Sequence, residues 1–220
     1  MLDTQAIFLS LQLAFWTLLV LIPIGIWIGY HLAQAGPWKS WAEAALALPL
    51  VLPPTVLGYY FIVAFAGKSL FGEPLVFSFT GLLVASIIVN LPFAIQPIQR
   101  AYEAIPTEIK EAAKVSGLST WQRFRLIELP LAWRGIVSGA AMTFAHTLGE
   151  FGVVLMVGGA IPGETKTVSI AIYDKVQSFD TTGAGKLSLI LLGTSLVAIA
   201  ISYGLFNHHD SRSNRERRRK

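Results

Sequence analysis

The chain has no cysteine among its 220 residues, and only 14% of them are charged. The first absence excludes a disulfide scaffold, a zinc finger and an iron–sulfur centre. The second excludes a soluble domain, which carries roughly 25% charged residues to coat its water-facing surface. Nor is there a low-hydrophobicity tract long enough for a disordered protein. What the chain has instead is apolar side chains, 54% of the total, with a mean hydropathy of +0.59. A net charge of +4 and an isoelectric point near 9.4 suit a nucleic-acid binder only if the charges are spread over a surface. They are not: six of the 17 Lys and Arg lie in the last nine residues. These proportions describe an integral membrane protein.

A helix needs about 20 mostly apolar residues to cross roughly 30 Å of hydrocarbon. Five stretches qualify, at residues 7–32, 42–66, 79–98, 136–157 and 187–206. The first is expected to be a span rather than a cleaved signal peptide. Its opening residues carry Asp3 and no Lys or Arg, and its apolar run is too long for a signal core. No segment alternates polar and apolar residues as a barrel strand does. The expected fold class is therefore all-α and polytopic.

The basic residues set the orientation. The turn with Lys39, the segment 99–135 and the tail 207–220 hold thirteen of the 17 Lys and Arg, against Lys68, Lys166, Lys175 and Lys186 on the other side. This places the N-terminus outside and the C-terminus in the cytoplasm, with the basic tail as an orientation signal near anionic lipid, not a nucleic-acid site. Six of the eleven prolines fall within spans: Pro23, Pro49, Pro53, Pro54, Pro92 and Pro97. Each removes a backbone donor, and the Pro53-Pro54 pair is expected to bend or break the second helix.

Between the third and fourth spans lies a polar segment, residues 105–130. Thr107 can cap a helix, and Glu108 and Glu111 bring negative charge to its first turns. Ile109, Ala112 and Ala113 share a narrow face, and Gly117 can take the left-handed conformation that ends a helix. Ser119-Thr120-Trp121-Gln122 has the form of a capping box, opening a second helix with Trp121, Phe124 and Glu128 along one side and Pro130 expected to close it. The segment reads as a short helical hairpin.

Glu111-Ala112-Ala113, three residues, Gly117, nine residues, then Ile127-x-Leu129-Pro130 resembles the EAA signature of type I ABC-importer permeases, with every defining position filled at the expected spacing. The resemblance implies a coupling helix that docks on a separate ATP-hydrolysing subunit. The chain should then lack an ATP site of its own. Gly67-Lys68-Ser69 looks like the end of a phosphate-binding loop, but Ile62 stands where the upstream glycine belongs, and Gly185-Lys186 is followed by Leu187. No cofactor is expected on this chain; ATP and magnesium belong to the partner.

In the fourth span, His146 and Glu150 are four residues apart on one helical face. Ionisable groups at membrane depth are functional candidates by default. Glu150 can be protonated, paired with His146, or capping an interruption at Gly149 or Gly152. Leu148-Gly149-Glu150-Phe151-Gly152 resembles the oxyanion permeases. The run from Ile161 to Asp174, with Leu52 to Tyr60, is similar to the molybdate subfamily, with sulfate or tungstate permeases as the alternative. No Lys or Arg lies within a span, so Thr143, Thr147, Asn90 and helix N-termini are the candidates to solvate an anion, beside His146 and Glu150 as gate candidates. The resemblance implies a multi-pass cytoplasmic-membrane homodimer, two ATP-binding subunits, an extracytoplasmic molybdate-binding protein and lipid as partners. An ion-coupled transporter would be expected to show inverted repeats, and a membrane enzyme a nucleophile–base constellation; neither is visible.

Overall fold

The computed structural model describes residues 3–70 and 73–217. Helix α1 (Thr4–Ala33) opens where the Asp3 carboxylate accepts the Ala6 N–H at 3.1 Å, and carries Pro23 in its interior. Helix α2 (Lys39–Val51) stops before Pro53-Pro54, and α3 (Pro54–Phe65) departs at 103°. The residue before a proline is pushed to extended backbone, and Leu52 (ψ 137°) and Pro53 (ψ 137°) both adopt it. Strands β1 (Ser69–Leu70) and β2 (Glu73–Pro74) pair antiparallel, Ser69 opposite Pro74, the only strand pairing among the described residues.

Helix α4 (Phe79–Glu103) is capped by Ser78, whose hydroxyl accepts the Gly81 N–H. Helix α5 (Thr107–Val115) follows, and Gly117 turns the chain at φ +75°. Helix α6 (Thr120–Arg123) begins on a complete capping box: Ser119 N–H to Gln122 Oε1 at 2.8 Å, and Gln122 N–H to Ser119 Oγ at 3.3 Å. A π-turn (Phe124–Glu128) leads directly into α7 (Leu129–Gly149), and α8 (Gly152–Gly158) continues after a 59° bend. Helices α9 (Val168–Gln177) and α10 (Thr181–Arg217) complete the chain.

Helices α1 and α4 and the Thr181–Ser202 part of α10 are long and apolar enough to cross a membrane; each bent pair counted as one span raises the number to five. Helix α4 is the centre of the packing: 56% of its apolar window is buried, against 33% for α1 and 11% for α10. It packs on α1 and α7, while α10 lies outside against α7 and α9. One apolar core joins Leu13 of α1, Phe61 and Phe65 of α3, Leu82 and Val89 of α4, Val153 and Val157 of α8 and Ile170 of α9. The outward Leu189, Leu192 and Leu196 of α10 are exposed, an arrangement that lipid tolerates because its tails are as apolar as leucine.

Two expectations are corrected. Pro130 does not close the second hairpin helix, because residues 120–149 form one continuous helical run. Proline is tolerated in a helix's first turn, where an absent N–H costs least, and Pro130 stands there in α7. The wide turn just before it ends with Leu129 N–H on Phe124 O. Thr107 is not the cap of α5; Pro106 holds that position with no side-chain bond. The fourth apolar stretch, expected over 136–157, lies on the 120–149 run and on α8, with a bend after Gly149. Residues 218–220 of the basic tail lie outside the described residues.

Candidate functional site

The hairpin that carries the EAA residues projects from one end of the helices. Glu111, Ala112 and Gly117 are exposed, while Ala113 is buried and so faces the protein's own helices. Lys110 Nζ donates to Tyr102 O at 3.1 Å, tying α5 to the end of α4. Ile127 and Leu129 are half-buried, and Pro130 is exposed. The expected face of Ile109, Ala112 and Ala113 is thus split, since Ile109 and Ala112 point outward. Around them stand large exposed apolar groups: Val115 at 89%, Trp121 at 65% and Leu126 at 61%. A polar-rimmed apolar patch on a projecting hairpin marks an interaction surface.

At the same end, Lys39 Nζ meets Glu103 Oε1 at 2.7 Å and Arg100 Nη1 meets Glu103 Oε2 at 2.8 Å. Gln99 Nε2 bridges Glu43 Oε1 at 2.5 Å and Glu103 Oε1 at 2.8 Å. This cluster fastens α2 to the end of α4.

Deeper in the bundle a second set of polar groups is buried. Thr17 of α1 donates to Ser86 Oγ of α4 at 3.1 Å. Asn90 Nδ2 donates to Ser86 O at 2.8 Å, which leaves Asn90 Oδ1 to accept from His146 Nδ1 of α7 at 3.1 Å. An amide oxygen can only accept, so His146 Nδ1 is the donor of this contact. Its other nitrogen lies 3.6 Å from Glu150 Oε2, an ion-pair separation longer than a hydrogen bond. Stacking on Phe93, with centroids 4.0 Å apart, fixes the ring plane.

Glu150 stands in the break between α7 and α8. Its backbone is extended (ψ 126°), its Oε1 accepts the Val153 N–H at 3.1 Å, and its carbonyl accepts from Ser169 Oγ of α9 at 2.7 Å. Of the roles open to Glu150, capping the interruption is the one its geometry displays. The break is also where the two bent segments meet. A Cβ on Gly152 would lie 2.6 Å from Pro54 Cβ, and one on Gly58 would lie 2.6 Å from Met156 Cβ. Only glycine permits α3 and α8 to approach so closely.

The structure brings Asn90, His146 and Glu150 together. Thr143 and Thr147 lie one turn apart on α7, buried: Thr147 Oγ1 donates to Thr143 O at 2.7 Å, and Thr143 Oγ1 has no hydrogen-bond partner. Sequence reasoning missed Thr17, Ser86 and Ser169. The i, i+4 spacing of Ser86 and Asn90 inside an apolar run was the available signal. On the far side of the bundle from the hairpin, Lys166 Nζ meets Asp174 Oδ2 at 2.7 Å at the rim of an open cleft of about 520 Å³, lined also by Asp3, Gln5 and Lys175.

Residues 21–215 match the family described as binding-protein-dependent transport system inner membrane component. The chain is 42% identical to the molybdenum transport system permease protein of Azotobacter vinelandii over 81% of its own length and 83% of that protein. It is 33% identical to the Escherichia coli K12 protein of the same name, over 98% of this chain and 96% of that one. Among solved structures, a bacterial alginate ABC transporter in complex with a periplasmic protein superposes with a TM-score of 0.74 at 17% identity, covering 93% of this chain and 78% of the other. The fold, the projecting hairpin and a match over nearly the whole chain agree: the chain belongs to the family of inner-membrane components of binding-protein-dependent transport systems.

Proposed function

We propose that this chain is the permease of an ATP-driven importer of molybdate, with its N-terminus outside and its hairpin in the cytoplasm. The observation that carries the reading is the hairpin itself. Its Glu111, Ala112 and Gly117 are exposed beside Val115 and Trp121, and it runs without interruption into α7, so a push on the hairpin is delivered to a span. One chain offers one hairpin, and two ATP-binding subunits need two. A twofold homodimer with the pathway on its axis is the economical assembly. ATP binding closes the two ATPases, brings the hairpins together and opens the pathway outward to a docked binding protein; hydrolysis resets it. ATP and magnesium stay on the partner, and this chain performs no chemistry.

Molybdate is supported by the names of the relatives and suited by the absence of Lys and Arg from the apolar stretches. A deep fixed cation would trap a doubly charged anion, whereas transport needs binding weak enough to release it. Selectivity then resides in the extracytoplasmic binding protein. Thr143, Thr147 and Asn90 are buried within the protomer and stand behind the path, while the half-buried His146, with Glu150, forms its gate.

The test is ATP-dependent uptake into vesicles holding the purified complex and its binding protein, with molybdate, tungstate and sulfate competing. Molybdate should be taken up, and Gly117→Trp, which places a large ring on the docking tip, should abolish uptake while the permease still inserts. Equal competition by sulfate would move the substrate reading to the sulfate class. Normal uptake by Gly117→Trp would remove the docking role.

A further inference from the structure

Glu128 is the residue that the Ile127-x-Leu129-Pro130 pattern leaves undefined, and it is only 6% exposed. A carboxylate is costly to bury unless its oxygens are satisfied, yet Glu128 Oε2 has no hydrogen-bond partner. Two neighbouring polar atoms share that condition, the Tyr102 hydroxyl and Arg123 Nε. The hydroxyls of Tyr30 on α1 and Tyr102 on α4 both lie in the field of the Glu128 charge, and Tyr30 also in that of Arg123. One carboxylate therefore lies within electrostatic reach of phenols from two spans, with its Oε2 and the Tyr102 hydroxyl both unpaired.

The surroundings connect this group to the docking surface. Trp121, exposed on the hairpin, packs on Phe124 at 5.4 Å between centroids. Phe124 packs on Tyr30 at 4.8 Å, and Tyr30 on Tyr102 at 5.4 Å. The chain between hairpin and α7 is the π-turn Phe124–Glu128. A single wide turn inside a helix holds one residue more than an α-turn, and such turns recur at functional sites. Losing the extra residue rotates the preceding helix by about 100° relative to the following one. The structure holds the wide register, and the ordinary α-turn is the second arrangement that a coupling element would use.

We propose that Glu128 is a positioning residue of the transport cycle: its carboxylate, carried on the π-turn, exchanges hydroxyl partners between Tyr30 of α1 and Tyr102 of α4 as the docked hairpin moves, and so passes that motion into the first and third spans. This rests on the importer reading above. The incomplete satisfaction is what makes exchange possible, because neither arrangement is locked by a full set of bonds.

The experiment uses the complete transporter in proteoliposomes, with the permease, its ATPase and its binding protein, and measures molybdate uptake and ATP hydrolysis on the same preparation. Glu128→Met keeps most of the side chain's length and removes both acceptor oxygens. Tyr30→Phe combined with Tyr102→Phe keeps the ring packing and removes both hydroxyls. In each, ATP hydrolysis by the assembled complex should persist while uptake per ATP falls about tenfold, within the usual 5- to 150-fold range of coupling between sites. Wild-type uptake per ATP in either variant overturns the proposal. So does a parallel loss of uptake, hydrolysis and complex yield in both, which marks Glu128 as structural. Gly117→Trp run alongside separates the two readings: normal uptake there removes the docking role itself, whatever Glu128 does.

Discussion

Replacing Asn90 with leucine tests whether the buried polar chain ties helices together. Asn90 is fully buried, and its bond to Ser86 O stays within α4. What it contributes between helices is the 3.1 Å contact with His146 Nδ1. Interhelical hydrogen bonds in membrane proteins average about 0.6 kcal/mol and reach about 1.7. Leaving a buried partner unpaired adds desolvation of roughly 1–3 kcal/mol. Asn90→Leu, close in volume, is therefore expected to cost about 2 kcal/mol. His146→Phe preserves the stack on Phe93 but removes both ring nitrogens, stranding Asn90 Oδ1, and should cost about the same. The double variant strands neither partner, so its cost should fall below the sum of the singles by about 1 kcal/mol. Thermal unfolding of the detergent-solubilised permease, followed by tryptophan fluorescence, reads this directly. For a chain of this size 1 kcal/mol moves Tm by about 2–4 °C, so each single variant should lose about 4–8 °C. Single-variant costs that add to within about 0.3 kcal/mol would refute the tie and reduce the contact to proximity.

Two further outcomes follow from the same packing. Glu150→Ala strips the cap from the Val153 N–H and should speed amide exchange at Val153 by about tenfold, equivalent to about 1.4 kcal/mol of opening, while Glu150→Gln, which still offers an oxygen, should leave it near wild type; equal exchange in both variants would count against the capping role. Gly139→Leu puts a Cβ 2.8 Å from Ala94 O at the α4–α7 crossing, one turn from Gly135, whose own Cβ would meet Pro97 O at 2.6 Å; overpacking there should cost about 1–3 kcal/mol, and an unchanged Tm would show that the two helices part freely.

Legibility in the sequence followed the range of the forces involved. The membrane class needed only composition, and the break at Pro53-Pro54 only the missing N–H of proline, so both could be read from the chain. The start of α6 was equally local: Ser119 and Gln122 are three residues apart and satisfy each other. Pro130 was misread because its effect is conditional. It stops a helix unless a wide turn lies just before it, and a π-turn has no composition of its own. The Gly135-x-x-x-Gly139 spacing was visible, but its meaning depends on α4 lying across it.

The polar chain exposes the deeper limit. Spacing paired His146 with Glu150, and the structure does place them within 3.6 Å. Yet the closer contact of His146 is Asn90, 56 positions away, and that of Thr17 is Ser86, 69 positions away. Periodicity says which side chains face inward; it cannot say which inward side chains from different helices end at the same depth. That depth is set by where each helix breaks. The α7–α8 break puts Glu150 beyond the last turn of α7, where its carboxylate reaches forward to Val153 and its carbonyl reaches Ser169. Had α7 run straight, Glu150 O would have been taken up by the helix's own ladder and Ser169 would have been left with the Thr167 hydroxyl alone. The interruption thus creates the contact to α9, and Gly152, where a Cβ would meet Pro54 at 2.6 Å, matters to the candidate gate as much as the ionisable residues do.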